Sequence, residues 1–115
     1  MRFILSLRHA LRGILFSVLT ERHMRFHLFA AACVILLAWK VGLNSIEYAI
    51  LAVTIAGVLV AELFNTALEA IVDKVSPEYH PLAKIAKDVA AGAVLASVFN
   101  SLVVGYLLFF HRLFG

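Results

Sequence analysis

Glu62, Asn65, Glu69 and Asp73 follow one another at steps of three, four and four residues. At 100° per residue these positions fall within about 80° of arc, so a helix carrying them shows one narrow polar stripe on an otherwise apolar surface. A charged group near the centre of a bilayer costs about 3 kcal/mol on insertion scales, and such residues mark function unless a partner neutralises them. Three acids and one amide on a single face suit Mg2+, a hard cation that takes carboxylate oxygens and keeps waters for phosphate to displace. Glu21 is positioned to complete that set. Lys87 and Asp88 supply complementary charge for a triphosphate, and phosphoryl transfer depends on positioning and charge neutralisation above all. The chain carries no GxxxxGK[ST] loop, no glycine-rich cover and no HRD or DFG triplet, so the pattern is that of a kinase unlike the soluble classes.

Two other readings use the same residues. The acids could pair with Lys87, Arg25 or Arg22 and merely hold helices together, or they could form the relay of a small ion or proton transporter. Loss of flux on substitution of Glu69, without any effect on ATP turnover, would single out the transporter. His23, His27 and His80 have no zinc spacing, and hydrogen-bonding histidines are the commoner case, so no zinc is predicted.

The elements that must hold these residues are apolar. Of the 115 residues 63% are hydrophobic and 15% charged, far from the balance of a soluble domain, and lipid must supply the missing core. One domain of residues 1–115 is expected, all-α, with an amphipathic surface helix over about 3–20 and spans over about 26–41, 46–72 and 89–110. In the first segment Arg2, Ser6, Arg8, His9, Arg12 and Ser17 share half of the helical wheel, and Phe3, Ile4, Leu7, Leu11 and Ile14 share the other. The second apolar run keeps its helical period through Asp73, which predicts one long helix protruding from the bilayer. Lys74 to Lys87, with Pro77 and Pro81, reads as a loop with a short helix after it. No cleaved signal peptide is expected, because Arg8 and Arg12 interrupt the first apolar stretch. Cys33 sits in an apolar run and has no partner for a disulfide.

Charge sets the orientation. Five arginines precede the first span and three lysines lie between the second and third, against Lys40 and Arg112 on the other side. Basic residues favour the cytoplasmic face, so the amino terminus, the polar loop and the acidic stripe are predicted there, in a multi-pass membrane protein. The net charge of +3 points to anionic headgroups, and no nucleic-acid partner is predicted.

The run Glu62-Leu-Phe-Asn65-Thr-Ala-Leu-Glu69-Ala-Ile-Val-Asp73 resembles the signature of the prokaryotic diacylglycerol kinase family. The likeness continues through Glu78-Tyr79-His80, through Ala86-Lys87-Asp88-Val-Ala-Ala-Gly92, and back to Thr20-Glu21-Arg22 with Arg25, so it covers nearly the whole chain. It implies a homotrimeric helical bundle with active sites between neighbouring subunits, and ATP with Mg2+ as the phosphate donor. It implies Glu62 as the general base at the lipid hydroxyl, Glu21 and Glu69 as the metal-binding pair, and Arg25 near the lipid. Arg2, His9, Glu21, Asn65, Glu69, Asp73, Glu78, Tyr79, His80, Lys87 and Asp88 are implied at the nucleotide. His9 with Ala10 departs from the tyrosine and serine of the Gram-negative type. With TERHMRFH over 20–27 and HPLAKIAKD over 80–88, this is similar to the Gram-positive branch, whose members act chiefly as undecaprenol kinases. A polyprenol acceptor is therefore expected ahead of diacylglycerol.

Overall fold

The computed structural model describes residues 1–115, and all of its regular structure is helical: α1 (Arg2–Thr20), α2 (Arg22–Val41), α3 (Ser45–Val75) and α4 (Pro81–Phe114). All four helices are long and apolar enough to cross a membrane. At 1.5 Å per residue the 31-residue α3 is about 46 Å long and the 34-residue α4 about 51 Å. Both exceed the ~30 Å hydrocarbon layer. Only 11 of 115 residues are buried, so the apolar surface left over has to be covered by lipid or by further copies of the chain.

Local chemistry sets each boundary. Glu21 is extended (φ −107°, ψ 113°) and separates α1 from α2 by a single residue. The Arg25 guanidinium turns back over that corner and donates to the carbonyls of Val18 (2.8 Å) and Leu19 (3.0 Å). It thereby satisfies two orphan acceptors at the negative end of the α1 dipole. At the end of α2, Gly42 adopts a left-handed conformation (φ 76°) and the Leu43 amide reaches back 3.2 Å to the Ala38 carbonyl. A Cβ at Gly42 would meet nothing within 4 Å, so Gly42→Ala carries backbone strain alone. It is expected to lower stability by about 1–2 kcal/mol, read as an earlier thermal melt in detergent micelles.

α3 opens with a reciprocal cap: Asn44 Oδ1 accepts from the Glu47 amide at 2.9 Å, and the Asn44 amide donates to Glu47 Oε1 at 3.0 Å. Glu47 also accepts both guanidinium nitrogens of Arg112 at 2.8 Å each. That fork ties the last turn of α4 to the first turn of α3, so the two helices run antiparallel and pack most extensively of all pairs. Ala38, Leu43, Leu51, Leu108 and Phe109 form the buried cluster beside it. α1 touches α2 and α3 but not α4.

The polar connection differs from expectation. No separate short helix follows the loop; α4 begins at Pro81 and continues without a break to Phe114. Proline at the first helical position has no amide to leave unsatisfied and its φ suits the helix, so Pro81 starts α4 where an interruption was expected. His80 Nδ1 caps it, accepting from the Leu82 amide at 3.1 Å.

Candidate functional site

The acidic stripe occupies α3 from its middle to its last turns, and each member meets a different neighbour. Glu62 is 2% exposed and faces α2, where His27 Nε2 lies 3.5 Å from its Oε2. One turn on, Asn65 donates its Nδ2 to Glu69 Oε1 at 3.2 Å. Asn65 Oδ1 is buried and has no hydrogen-bond partner. Asp73, a further turn along, reaches α4 and binds the Lys87 ammonium at 2.5 Å.

That hydrogen bond from Asp73 raises the Lys87 pKa above its usual value of 10.5, with the charges of Asp73 and Glu69 adding to it and desolvation opposing. A raised ammonium pKa leaves the group fully charged below the ordinary value and lets it go only as pH climbs past the higher folded one. Lys87 is accordingly cationic at neutral pH and for some way above it. Lys87→Met is expected to raise KM for ATP by about tenfold, the size of one charge-assisted contact, as initial rates over an ATP series would show.

Asp73, Glu78, Tyr79, His80 and Lys87 line one cleft of 340 Å³ where the α3–α4 connection closes over the helix ends. Five residues expected at a nucleotide therefore converge. Asp88 does not itself line the cleft: it is exposed and pairs at 2.6 Å with Lys84 of its own helix, which does. Arg2 and His9 are exposed on α1, and Glu21 is half-buried at the α1–α2 corner. Arg25 is engaged with the α1 carbonyls described above. His80 spends one ring nitrogen on the α4 cap.

Within one copy of the chain no three His, Cys, Asp or Glu residues gather into a metal-holding group. The donors nevertheless suit a hard cation that brings its own phosphate and water ligands. Glu69 and the unpartnered Asn65 Oδ1 are oxygen donors one helical turn apart on the same face.

A second, apolar cleft of 480 Å³ lies between α2, α3 and α4, with Phe26 and His27 in its wall and Val58 and Leu59 in α3 one turn before Glu62. It extends to Tyr106 and Phe109 of α4. The stripe from Glu62 to Asp73 thus runs from the greasy cleft to the polar one, about 16 Å along the α3 axis. Sequence reasoning named His27 only as a histidine without zinc spacing and gave it no place beside Glu62, where the structure puts it. Its signal was its place on the inward face of α2, in register with Met24, Val34 and Ala38, which are buried or half-buried.

The family described as prokaryotic diacylglycerol kinase matches residues 8–109. An undecaprenol kinase of Bacillus subtilis is 44% identical over 112 residues, 97% of this chain and 91% of that protein. A diacylglycerol kinase of Synechocystis is 45% identical over 103 residues, 89% of this chain but 59% of that longer protein. A diacylglycerol kinase of Escherichia coli is 26% identical over 107 residues, 93% of this chain and 88% of its own.

Proposed function

This chain belongs to the prokaryotic diacylglycerol kinase family and is an integral membrane lipid kinase, and from that premise we propose that it transfers the γ-phosphate of ATP to the hydroxyl of undecaprenol. The observation that carries the reading is the continuous face from buried Glu62, beside an apolar cleft, to Asp73 and Lys87, in a polar one. A long-chain alcohol needs the first environment and a triphosphate the second.

In this reaction the hydroxyl oxygen attacks the γ-phosphorus as its proton passes to the Glu62 carboxylate, and the bond to the leaving ADP breaks. Asn65 and Glu69 hold the phosphate end together with Mg2+, for which Glu69 and Glu21 are the proposed carboxylate ligands. Bound there, the cation would neutralise charge on the triphosphate. Lys87 does the same from α4, and Glu78, Tyr79 and His80 enclose the nucleotide. Asp88, Arg2 and His9 border it from their exposed positions, and Arg25 holds the α1–α2 corner beside the lipid. The choice of undecaprenol over diacylglycerol is supported by the name of the Bacillus subtilis relative and by the TERHMRFH and HPLAKIAKD segments.

α1 is proposed to lie on the membrane surface with Arg8, His9 and Arg12 toward the headgroups, leaving α2, α3 and α4 as spans over about 26–41, 46–72 and 89–110. The basic residues favour a cytoplasmic amino terminus and a cytoplasmic polar α3–α4 connection, in a protein of the bacterial inner membrane. The active unit is proposed to be a homotrimer. A protomer that gathers no three metal-ligating groups and exposes most of its apolar surface gains both from a neighbour that brings its Glu21 and α1 to the stripe.

Purified protein incubated with Mg-ATP labelled at the γ-phosphate, and separately with undecaprenol or diacylglycerol, tests the proposal. Label should enter undecaprenyl phosphate faster. Faster labelling of phosphatidic acid would reverse the choice of acceptor, and labelling of neither would reject the kinase assignment for this chain.

A further inference from the structure

The Glu62 carboxylate is enclosed, and a buried polar or charged group needs a partner to meet it. Thr66 takes the backbone carbonyl of Glu62, at 3.0 Å, and does not satisfy the carboxylate. The side chain that does approach it is His27, whose Nε2 stands 3.5 Å from Oε2 with exposures of 15% for His27 and 3% for Glu62. That separation is a close polar contact, slightly longer than an ordinary hydrogen bond. The imidazole sits on the inward face of α2, with the ring of its chain neighbour Phe26 edge-on to it, centroids 5.8 Å apart at 72°. It also forms part of the wall of the apolar cleft.

We propose that His27 is a positioning residue for Glu62. Its Nε2–H is directed to Oε2 and fixes the flexible glutamate side chain, which leaves Oε1 free to receive the acceptor's proton. The inference rests on Glu62 being the base. In the step itself the hydroxyl oxygen bonds to the γ-phosphorus, the hydroxyl proton moves to Glu62 Oε1, the bond to ADP breaks, and His27 keeps its own proton throughout. A general base works from a defined distance and direction, so losing the anchor costs rate and leaves nucleotide affinity alone.

Two variants and a cycle test this. His27→Leu removes the donor and should lower kcat about 10–100-fold with KM for Mg-ATP unchanged, while His27→Gln, whose amide nitrogen falls near the place of Nε2, should recover most of the rate. In a Glu62→Gln background His27→Leu should cost nothing further, since the two act as one unit. Equal impairment by Leu and Gln, full activity of His27→Leu, or losses that multiply in the double variant would each overturn the assignment. The wild-type protein assayed alongside separates the premises: an inactive wild type defeats the kinase reading, whereas an active wild type with an unimpaired His27→Leu defeats only the role of His27.

Discussion

Glu62→Gln is expected to lower lipid phosphorylation by about 10²–10⁴-fold while Mg-ATP binding stays close to that of the wild type. The amide has the shape of the carboxylate and fits the same enclosed position, 2% exposed against α2, so the fold has no reason to respond. What disappears is the capacity to accept a proton from the attacking hydroxyl. On the proposed reading nucleotide affinity depends on groups elsewhere: Asp73, Lys87 and the other residues of the 340 Å³ cleft lie about three turns farther along α3, in the α3–α4 connection or on α4. Initial rates with a saturating acceptor, paired with equilibrium binding of a non-hydrolysable ATP analogue, separate the two quantities. Equal losses in rate and binding would assign Glu62 to the nucleotide and leave the reaction without its base.

The stripe on α3 was legible because its spacing is a local property: steps of three and four residues fix a shared face in any straight helix. Its length was legible for a similar reason, since no breaker interrupts 45–75. Contacts between helices were not. His27 and Glu62 are distant in sequence, and only the antiparallel return of α3 along α2 brings them to 3.5 Å. The Glu47–Arg112 fork was invisible on the same ground. Lys87 and Asp88 carry a further lesson, because neighbours on a helix point about 100° apart. One of them turns to Asp73 on α3 and lines the polar cleft, and the other reaches that cleft only through Lys84 of its own helix, a difference that adjacency in the motif concealed. Arg25 was placed near the lipid by the resemblance, but its geometry at the corner comes from the unsatisfied carbonyls of Val18 and Leu19. Pro81 misled in the opposite direction: a proline that ends a helix and one that begins it have the same letter, and only the absence of a preceding turn distinguishes them.

Glu69→Gln is the second large effect, and it should differ in kind from that of Glu62→Gln. Glu69 is half-buried, accepts the Asn65 amide at 3.2 Å, and lies on the same face as the unpartnered Asn65 Oδ1. Glutamine keeps the bulk and can still meet Asn65, but it withdraws the negative charge that a divalent cation needs beside a triphosphate. Removing one element of such an electrostatic clamp costs about 10²–10³-fold in turnover. Because the loss acts through the cation, the apparent affinity for Mg2+ should fall as well, and raising Mg2+ should recover part of the rate, which it cannot do for Glu62→Gln. A magnesium titration of both variants beside the wild type makes the comparison. If the Glu69 variant turned over normally with an unaltered magnesium dependence, Glu69 would leave the site. If it abolished an ion flux through sealed vesicles while ATP turnover stayed intact, the stripe would be a conduction path and the acids would serve transport.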